Sequence, residues 1–470
     1  MSPKLIDSWK DSDYSAQLFL YDLGNGKRLL YTHKLGCSEC NLSILFKGGA
    51  LYEKQLKLPL GTAHFLEHML CRPNGVLKTQ EAMDSFCFGT REKPAIFSYA
   101  FTSDNMLCFG VDTHVLGYKR AIQFLSYIMS YPSELFSKYI EEERSVILAE
   151  LGRYPSERKN ESLEFNKFIL NGRYKRYLKR VLGDKKNIKQ IEVSHLQKLW
   201  NVIRKNESTV IAVQSGIKPS VKVINEYSEL LNGMKEGGLS AKSHFYKLEN
   251  ENKVGYFRDE KAQNVSIEIG ILKTRERSEK YTTESYRRSI LYVFADRLLA
   301  FLLHKTLRDE NHLVYEVRSF NSRQTIDWNI YGFSTNFEKG LEKQVLENMW
   351  DVIYGRNGNK PKFEKFLNSE VGKQWIEHEV SKSVFVMNVD HDKSYSISIA
   401  GCLITDLMPY KYERDYVRDK IVRNIGAKDI IKFIREELIT QKPYIWVKHR
   451  DPRSEILPEI EKIVKHLLTQ

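Results

Sequence analysis

Cysteine is scarce. Six residues in a chain of 470, Cys37, Cys40, Cys71, Cys87, Cys108 and Cys402, are too few to staple a fold of this length, so a disulfide scaffold is excluded. Cys37 and Cys40 form a lone C-x-x-C in a segment that reads as a hairpin turn, whereas a structural zinc site of that type needs a second ligand pair. Long hydrophobic runs are missing as well. The most apolar segment, 289–304, is broken by Asp296 and Arg297, and nothing approaches the roughly 18 uncharged apolar residues of a spanning helix, so no membrane span is expected. The start, MSPKLIDSWKDSDYS, lacks both an apolar run behind a basic head and an arginine-rich, acid-poor amphipathic stretch, which makes a cytoplasmic address the expectation.

What is present is a globular balance. Hydrophobic residues at 42% and charged residues at 28% exclude the apolar-poor compositions that stay disordered, and the length exceeds what one core usually serves. A net charge of +13 attracts acidic partners and puts nucleic acid among the classes to weigh. The run 173–189 interleaves bases with tyrosines and can meet phosphates, but the same run serves as a solvated face or a patch for an acidic peptide, and nucleic-acid binding is the weaker reading.

Alternation around 15–47, punctuated by Gly24-Asn25-Gly26, predicts strands joined by a tight turn. Helical periodicity follows in 61–70, 115–131 and 134–153, with a strand pattern across 95–111, then a helix at 195–203 and a strand at 208–214. After the polar, glycine-rich 232–243 a second cycle begins, with strands in 254–273, a long helix over 286–308, strands from 314 to 336 and a helix at 341–354. Strands and helices mix without regular βαβ alternation, which predicts α+β.

The strongest chemical signal is His64-Phe65-Leu66-Glu67-His68, an H-x-x-E-H arrangement expected by chance only about 0.03 times in such a chain. Two histidines four apart on a helix share one face and can hold one metal ion through neutral imidazole nitrogens. Glu67 projects beside them, suited to take a proton from water without being a ligand. A catalytic zinc needs a third protein ligand, and the acidic helix 141–150 offers Glu150, with Glu143 superposed on the same face two turns earlier to orient a ligating histidine. His378-Glu379 and His391-Asp392 lack a second histidine at ligand spacing.

These pieces, with Leu23 to Arg28, Gly48-Gly49-Ala50-Leu51-Tyr52-Glu53, Gly61-Thr62-Ala63 and Leu182-Gly183 in order, resemble the pitrilysin and insulin-degrading-enzyme peptidases, which include the mitochondrial processing peptidase. The resemblance implies one zinc per chain on His64, His68 and Glu150, water activation by Glu67 and support from Glu143. In the second half, Arg308 and Tyr315 resemble the family's arginine and tyrosine that contact substrate and stabilise the oxyanion, a placement that lowers the barrier in a closed, low-dielectric chamber. The strand that pairs with bound peptide commonly reads Asn-Ala-x-Thr in the family. Here Tyr99-Ala100-Phe101-Thr102 stands in its place, which leaves backbone pairing intact and touches selectivity.

The fold expected from all this is α+β, two tandem related α/β-sandwich domains that form one half of a clamshell, each a mostly antiparallel sheet with helices on one face. Residues 1–235 would be the zinc-binding catalytic domain, 236–248 a linker and 249–470 the homologous C-terminal domain. The function expected is a zinc-dependent endopeptidase acting on peptides of limited size inside a dimeric chamber, processing a precursor peptide or turning peptides over. The partner is a second copy, or a related chain in a heterodimer. The rival is a non-catalytic scaffold subunit of the same fold, against which the intact H-x-x-E-H with Glu150 weighs.

Overall fold

The structure, a computed structural model, describes residues 3–11, 15–153, 165, 168–169, 181–205, 209–231, 253–274, 283–325, 328–384, 394–405, 421–440 and 443–469. The expected linker and 173–180 of the basic run lie outside them. The chain forms two units, one built from Met1–Tyr154, Lys179–Lys242 and Asn388–Tyr416, the other from Pro155–Leu178, Ser243–Met387 and Val417–Gln470. Each unit therefore draws one segment from the other half of the sequence.

The first unit holds seven strands, β1 Lys4–Asp11, β2 Ala16–Gly24, β3 Lys27–Lys34, β4 Glu39–Lys47, β5 Ile96–Thr102, β6 Met106–His114 and β7 Thr209–Ser215. They lie in the order β1-β2-β3-β7-β4-β6-β5. All neighbours are antiparallel except β3 and β7. The β2–β3 turn has Gly24, Asn25 and Gly26 all at positive φ, as a tight hairpin of this sequence requires. Helices α1 Ala50–Gln55, α2 Thr62–Leu70, α3 Tyr118–Met129, α4 Phe136–Arg153 and α5 Val193–Ile203 pack on one face. There Leu29, Tyr31, Leu42, Ile44, Phe109 and Ile211 meet Phe65, Leu66, Leu125, Ile147 and Trp200.

The second unit repeats the theme with β8 Val254–Arg258, β9 Val265–Thr274, β10 Val317–Thr325, β11 Trp328–Phe337 and β12 Tyr444–His449, ordered β10-β11-β9-β12-β8. Its helices include α6 Thr283–His304, α7 Glu342–Ile353 and α9 Arg453–Leu468, while α8 Ser394–Thr405, between the last two in sequence, belongs to the first unit. Leu298, Leu302, Leu346, Met349, Ile460 and Val464 from α6, α7 and α9 close over Ile267, Ile269, Ile445 and Val447. The α+β class and the mostly antiparallel sheets with a helical layer match the expectation. No helix of the described residues is long and apolar enough to cross a membrane.

Each sheet is also covered on its opposite face. In the first unit Ala400, Leu403 and Ile404 of α8 pack on Leu18, Leu20, Leu30, Leu45, Val210 and Ala212, and Ser396 bonds Thr32 and Gln214 in the same layer. In the second, Phe165 and Ile169 meet Ile330, Tyr444 and Trp446. Strands buried on both faces need apolar residues at consecutive positions rather than at alternate ones. This is why every residue of β7 is buried and why β4, reading ECNLSILFK, is exposed only at its first position.

Candidate metal centre

Helix α2 turns Ala63, Phe65, Leu66, Met69 and Leu70 into the core. The spacing i, i+3, i+4 then leaves His64, Glu67 and His68 on the remaining stripe. The two imidazoles stand 4.6 Å apart between ring centres at an interplanar angle of 67°. Helix α4 lies alongside. Its core positions Ile140 and Ile147 fix the rotation that presents Glu143 and Glu150 to α2.

The sequence-predicted ligands come together. Glu150 Oε2 lies 3.7 Å from Nε2 of His64 and 3.7 Å from Nε2 of His68, and one ligand atom from each of the three residues falls within 4.8 Å of the others. Two imidazole nitrogens and one carboxylate oxygen form the donor set of a hydrolytic zinc site with a position left for water. The protonation state of His64 agrees with that use. Burial, helped by the neighbouring His68, pushes His64 down to about 4, which leaves its nitrogen lone pair free at neutral pH. His68 Nδ1 donates to Glu143 Oε2 at 3.0 Å, so its Nε2 is the nitrogen turned to Glu150. Burial opposes charge on His68, but the bond to Glu143 and the surrounding carboxylates prevail and raise its pKa. The residues present fit zinc.

Glu143 sits in the position expected of a supporting carboxylate. It is buried at 4% exposure and is also paired with Arg72, which in turn contacts Glu142. Burial works against its charge, yet the hydrogen bond from His68 and the Arg72 cation win and lower its pKa. Replacing Glu143 with Gln keeps an acceptor for His68 but leaves Arg72 without its buried counter-charge. Zinc affinity, measured by competition with a chelator, is expected to weaken about 10- to 100-fold. Unchanged affinity and turnover would remove Glu143 from the site's support.

Glu67 is held by Thr102, whose hydroxyl donates to its Oε2 at 2.6 Å. Burial raises the Glu67 carboxyl above its usual value, with the Thr102 bond pulling part of the way back. A carboxylate so shifted is a better proton acceptor near neutral pH. Thr102 ends β5, an edge strand of the sheet, and Ala100 faces the same side, lining with His64, Glu67, His68 and Glu150 an open cavity of about 890 Å³. Tyr99 faces the other way. Its hydroxyl bonds Ser43 at 2.8 Å, and its ring occupies the space left by Gly110, where a Cβ would come within 2.2 Å of it. The tyrosine that departs from the family pattern thus points its side chain at the layer of α8, not at the cavity.

A second cavity of about 430 Å³ adjoins Glu67 and His68 and is lined by Met83, Phe124, Ile128 and Val146 with Gln80 and Ser98. Arg72 and Ser98 carried no role in the sequence reading. For Ser98 a signal was available in parity, since it shares the phase of Ala100 and Thr102, whereas Arg72 lies past the end of α2 at Leu70, beyond the reach of helical spacing. Among the described cysteines, Cys37 Sγ bonds the Glu39 carbonyl and buried Cys40 meets the Tyr227 hydroxyl.

Arg308 and Tyr315 belong to the second unit. Arg308 lies in a π-helical turn, Lys305–Glu310, that follows α6, with its guanidinium 5.0 Å from the centre of the Tyr315 ring and His304 Nε2 at 3.3 Å. Tyr315 is 77% exposed.

Residues 28–172, which carry α2 and α4, match the sequence model of the insulinase family, Peptidase family M16, and the resemblance to the pitrilysin and insulin-degrading enzymes is borne out. No curated protein matches the sequence. In fold, the chain is similar to the first half of the periplasmic protease PqqL from Escherichia coli, with a TM-score of 0.74 at 14% identity over 96% of this chain and 95% of that one. It is also similar to the ferredoxin protease FusC in complex with Arabidopsis ferredoxin, with a TM-score of 0.73 at 16% identity over 98% of this chain and 51% of that one. A peptidase M16 inactive domain from Pseudomonas fluorescens gives 0.69 at 15% identity over 93% of this chain and 98% of that one. The chain spans about half of full-length PqqL, 50% of it. At these identities the likeness is one of fold.

Proposed function

We propose that the chain is a zinc-dependent endopeptidase that hydrolyses peptides of limited size. The reading rests on the convergence of donor atoms from His64, His68 and Glu150 within 4.8 Å, beside a non-ligating Glu67 restrained by Thr102. Bound there, zinc supplies Lewis acidity to a water molecule and to the scissile carbonyl. Glu67 takes the proton as water adds to the carbonyl carbon. It then delivers that proton to the leaving amine nitrogen as the C–N bond breaks. The edge of β5 offers main-chain groups for an extended peptide, and the cavity around Met83, Phe124, Ile128 and Val146 takes an apolar side chain next to the cleaved bond.

The test is the purified chain, analysed for zinc and incubated with a mixed peptide library. About one zinc per chain together with internal cleavage beside apolar residues is expected. Bound zinc with no cleavage would favour a non-catalytic subunit, and uptake of nucleic acid without zinc would favour the basic-surface reading.

Arg308 and Tyr315 would aim a guanidinium and a phenol at the developing oxyanion. In this proposal they act across a dimer in a shared chamber, each pair serving the zinc centre of the other chain, with a related second chain as the heterodimeric variant. Mixing Glu67→Gln with Tyr315→Phe under conditions of subunit exchange builds one intact site in each mixed dimer. Random pairing is then expected to restore roughly a quarter of wild-type sites. No recovery despite exchange shown by differential labelling would rule out sharing between identical chains.

A further inference from the structure

Helix α2 starts without a cap of its own. Its N-cap position falls on Gly61, which has φ +87 and no side chain to accept from the first turn. No side chain can be accommodated there, because a Cβ would lie 2.7 Å from Ile188 Cδ1 and 2.8 Å from the Leu182 carbonyl oxygen. The orphan donors of a helix start must nevertheless be satisfied when they are buried. Here they are met from another element. Glu53 of α1 is fully buried, at 0% exposure. Its Oε2 accepts from the Gly61 N–H at 3.0 Å and its Oε1 from the Ala63 N–H at 2.8 Å. One carboxylate therefore spans the amides of Gly61 and Ala63, just ahead of His64 and at the positive end of the helix dipole.

The geometry points to Glu53 as a positioning residue of the metal centre, a buried carboxylate that clamps the first turn of α2 and thereby sets the separation of His64 from His68 and Glu150. The inference rests on the metal-site reading above.

The physical need is specific. His64 lies in the first turn of a nine-residue helix, where helices fray, while His68 lies one turn further on. Ligand atoms must be held to within about 0.5 Å for a metal to find its geometry. Fraying of the first turn would displace His64 and leave His68 in place. Burying a carboxylate is costly unless it is hydrogen-bonded, and burial raises the Glu53 pKa while the two amide donors pull it back. A carboxylate kept at that cost between α1 and the ligand helix is accounted for by the position it secures. Buried Glu379 of the second unit, which pairs with Arg297 and Lys382, is a matched control for the general loss of a buried carboxylate.

The test uses cobalt(II) and zinc on the full chain. Glu53→Gln keeps the side-chain shape but turns an NH2 group toward one of the two amides. It is expected to bind zinc about 10- to 100-fold more weakly and to shift the d–d absorption bands of the cobalt-substituted protein, since those bands report ligand geometry without any turnover. Glu53→Asp keeps the charge but is one methylene short of spanning both amides, so it should shift the same bands with a smaller loss of affinity. Glu379→Gln should leave spectrum and affinity at wild-type values. A wild-type spectrum and affinity in both Glu53 variants would overturn the inference, as would an equal loss of affinity in Glu379→Gln. A wild-type chain that takes up neither cobalt nor zinc would overturn the metal-site reading and this inference with it.

Discussion

Glu67→Gln is expected to retain about one zinc per chain while peptide hydrolysis falls by about 10²- to 10⁴-fold, the usual contribution of a general acid and base. The expectation follows from the separation of roles on α2. His64, His68 and Glu150 converge on one point, whereas Glu67 is engaged by the Thr102 hydroxyl and contributes no atom to that convergence. The amide of Gln is close in shape to the carboxylate and can still accept from Thr102, so the helix, its packing and the ligand set are left in place. What is lost is the capacity to take a proton from water and pass it to the departing amine. Elemental analysis and turnover on the same preparation separate the outcomes. Full activity would sink the mechanism, and loss of zinc in parallel with activity would show that Glu67 belongs to the ligand set instead.

The parts of this site legible from sequence are those governed by local helical geometry. His64, Glu67 and His68 share a stripe because of their spacing alone, and Glu143 and Glu150, seven apart, share another. That the two stripes face each other is not local information, but it needs only that both helices bury their apolar sides on one sheet, as Phe65, Leu66 and Ile147 do. Side-chain direction on β5 was open to the same kind of reasoning. Ala100 and Thr102 share a phase and Tyr99 does not, so only the first two can face Glu67. Confirming Tyr99 on the far side required the partner strand, where Gly110 clears room for its ring.

The second layer on each sheet was beyond reach because it depends on pairing segments hundreds of residues apart. Nothing near Ser396 announces that it will bond Thr32 and Gln214, or that Ala400 and Leu403 will pack on Leu30 and Leu45. A trace existed in the strands themselves. The near-continuous apolar run of β7 is the pattern of a strand covered on both faces, whereas an antiparallel sheet with one solvated face alternates. Strand β1 escaped for the opposite reason. It is an edge strand, largely exposed, with Leu5 and Ile6 at 49% and 46%, and a strand that buries little leaves little hydrophobic pattern to read.

Glu150→Gln is expected to abolish stoichiometric zinc binding, an effect well beyond the roughly 10- to 100-fold loss set for the supporting Glu143. The two glutamates sit on one helix and differ in what they touch. Glu143 reaches His68 through Nδ1, behind the ligand nitrogen, while Glu150 lies 3.7 Å from Nε2 of both histidines and brings the only negative charge to the donor set. An amide oxygen in its place is neutral and a much poorer partner for a divalent cation, and two imidazoles alone leave the ion short of a protein ligand. The Glu150 side chain is partly exposed, at 29%, so the substitution leaves no buried orphan and the fold itself should survive. This makes stability a second readout. A metal that binds only the folded chain stabilises it by about 2.7 kcal/mol at a hundred times its dissociation constant, so zinc should raise the melting temperature of the wild type and leave that of Glu150→Gln unmoved. A variant that holds zinc as tightly as wild type, with the same shift in melting temperature, would place the third ligand elsewhere and return α4 to the status of a charged helix flanking the site.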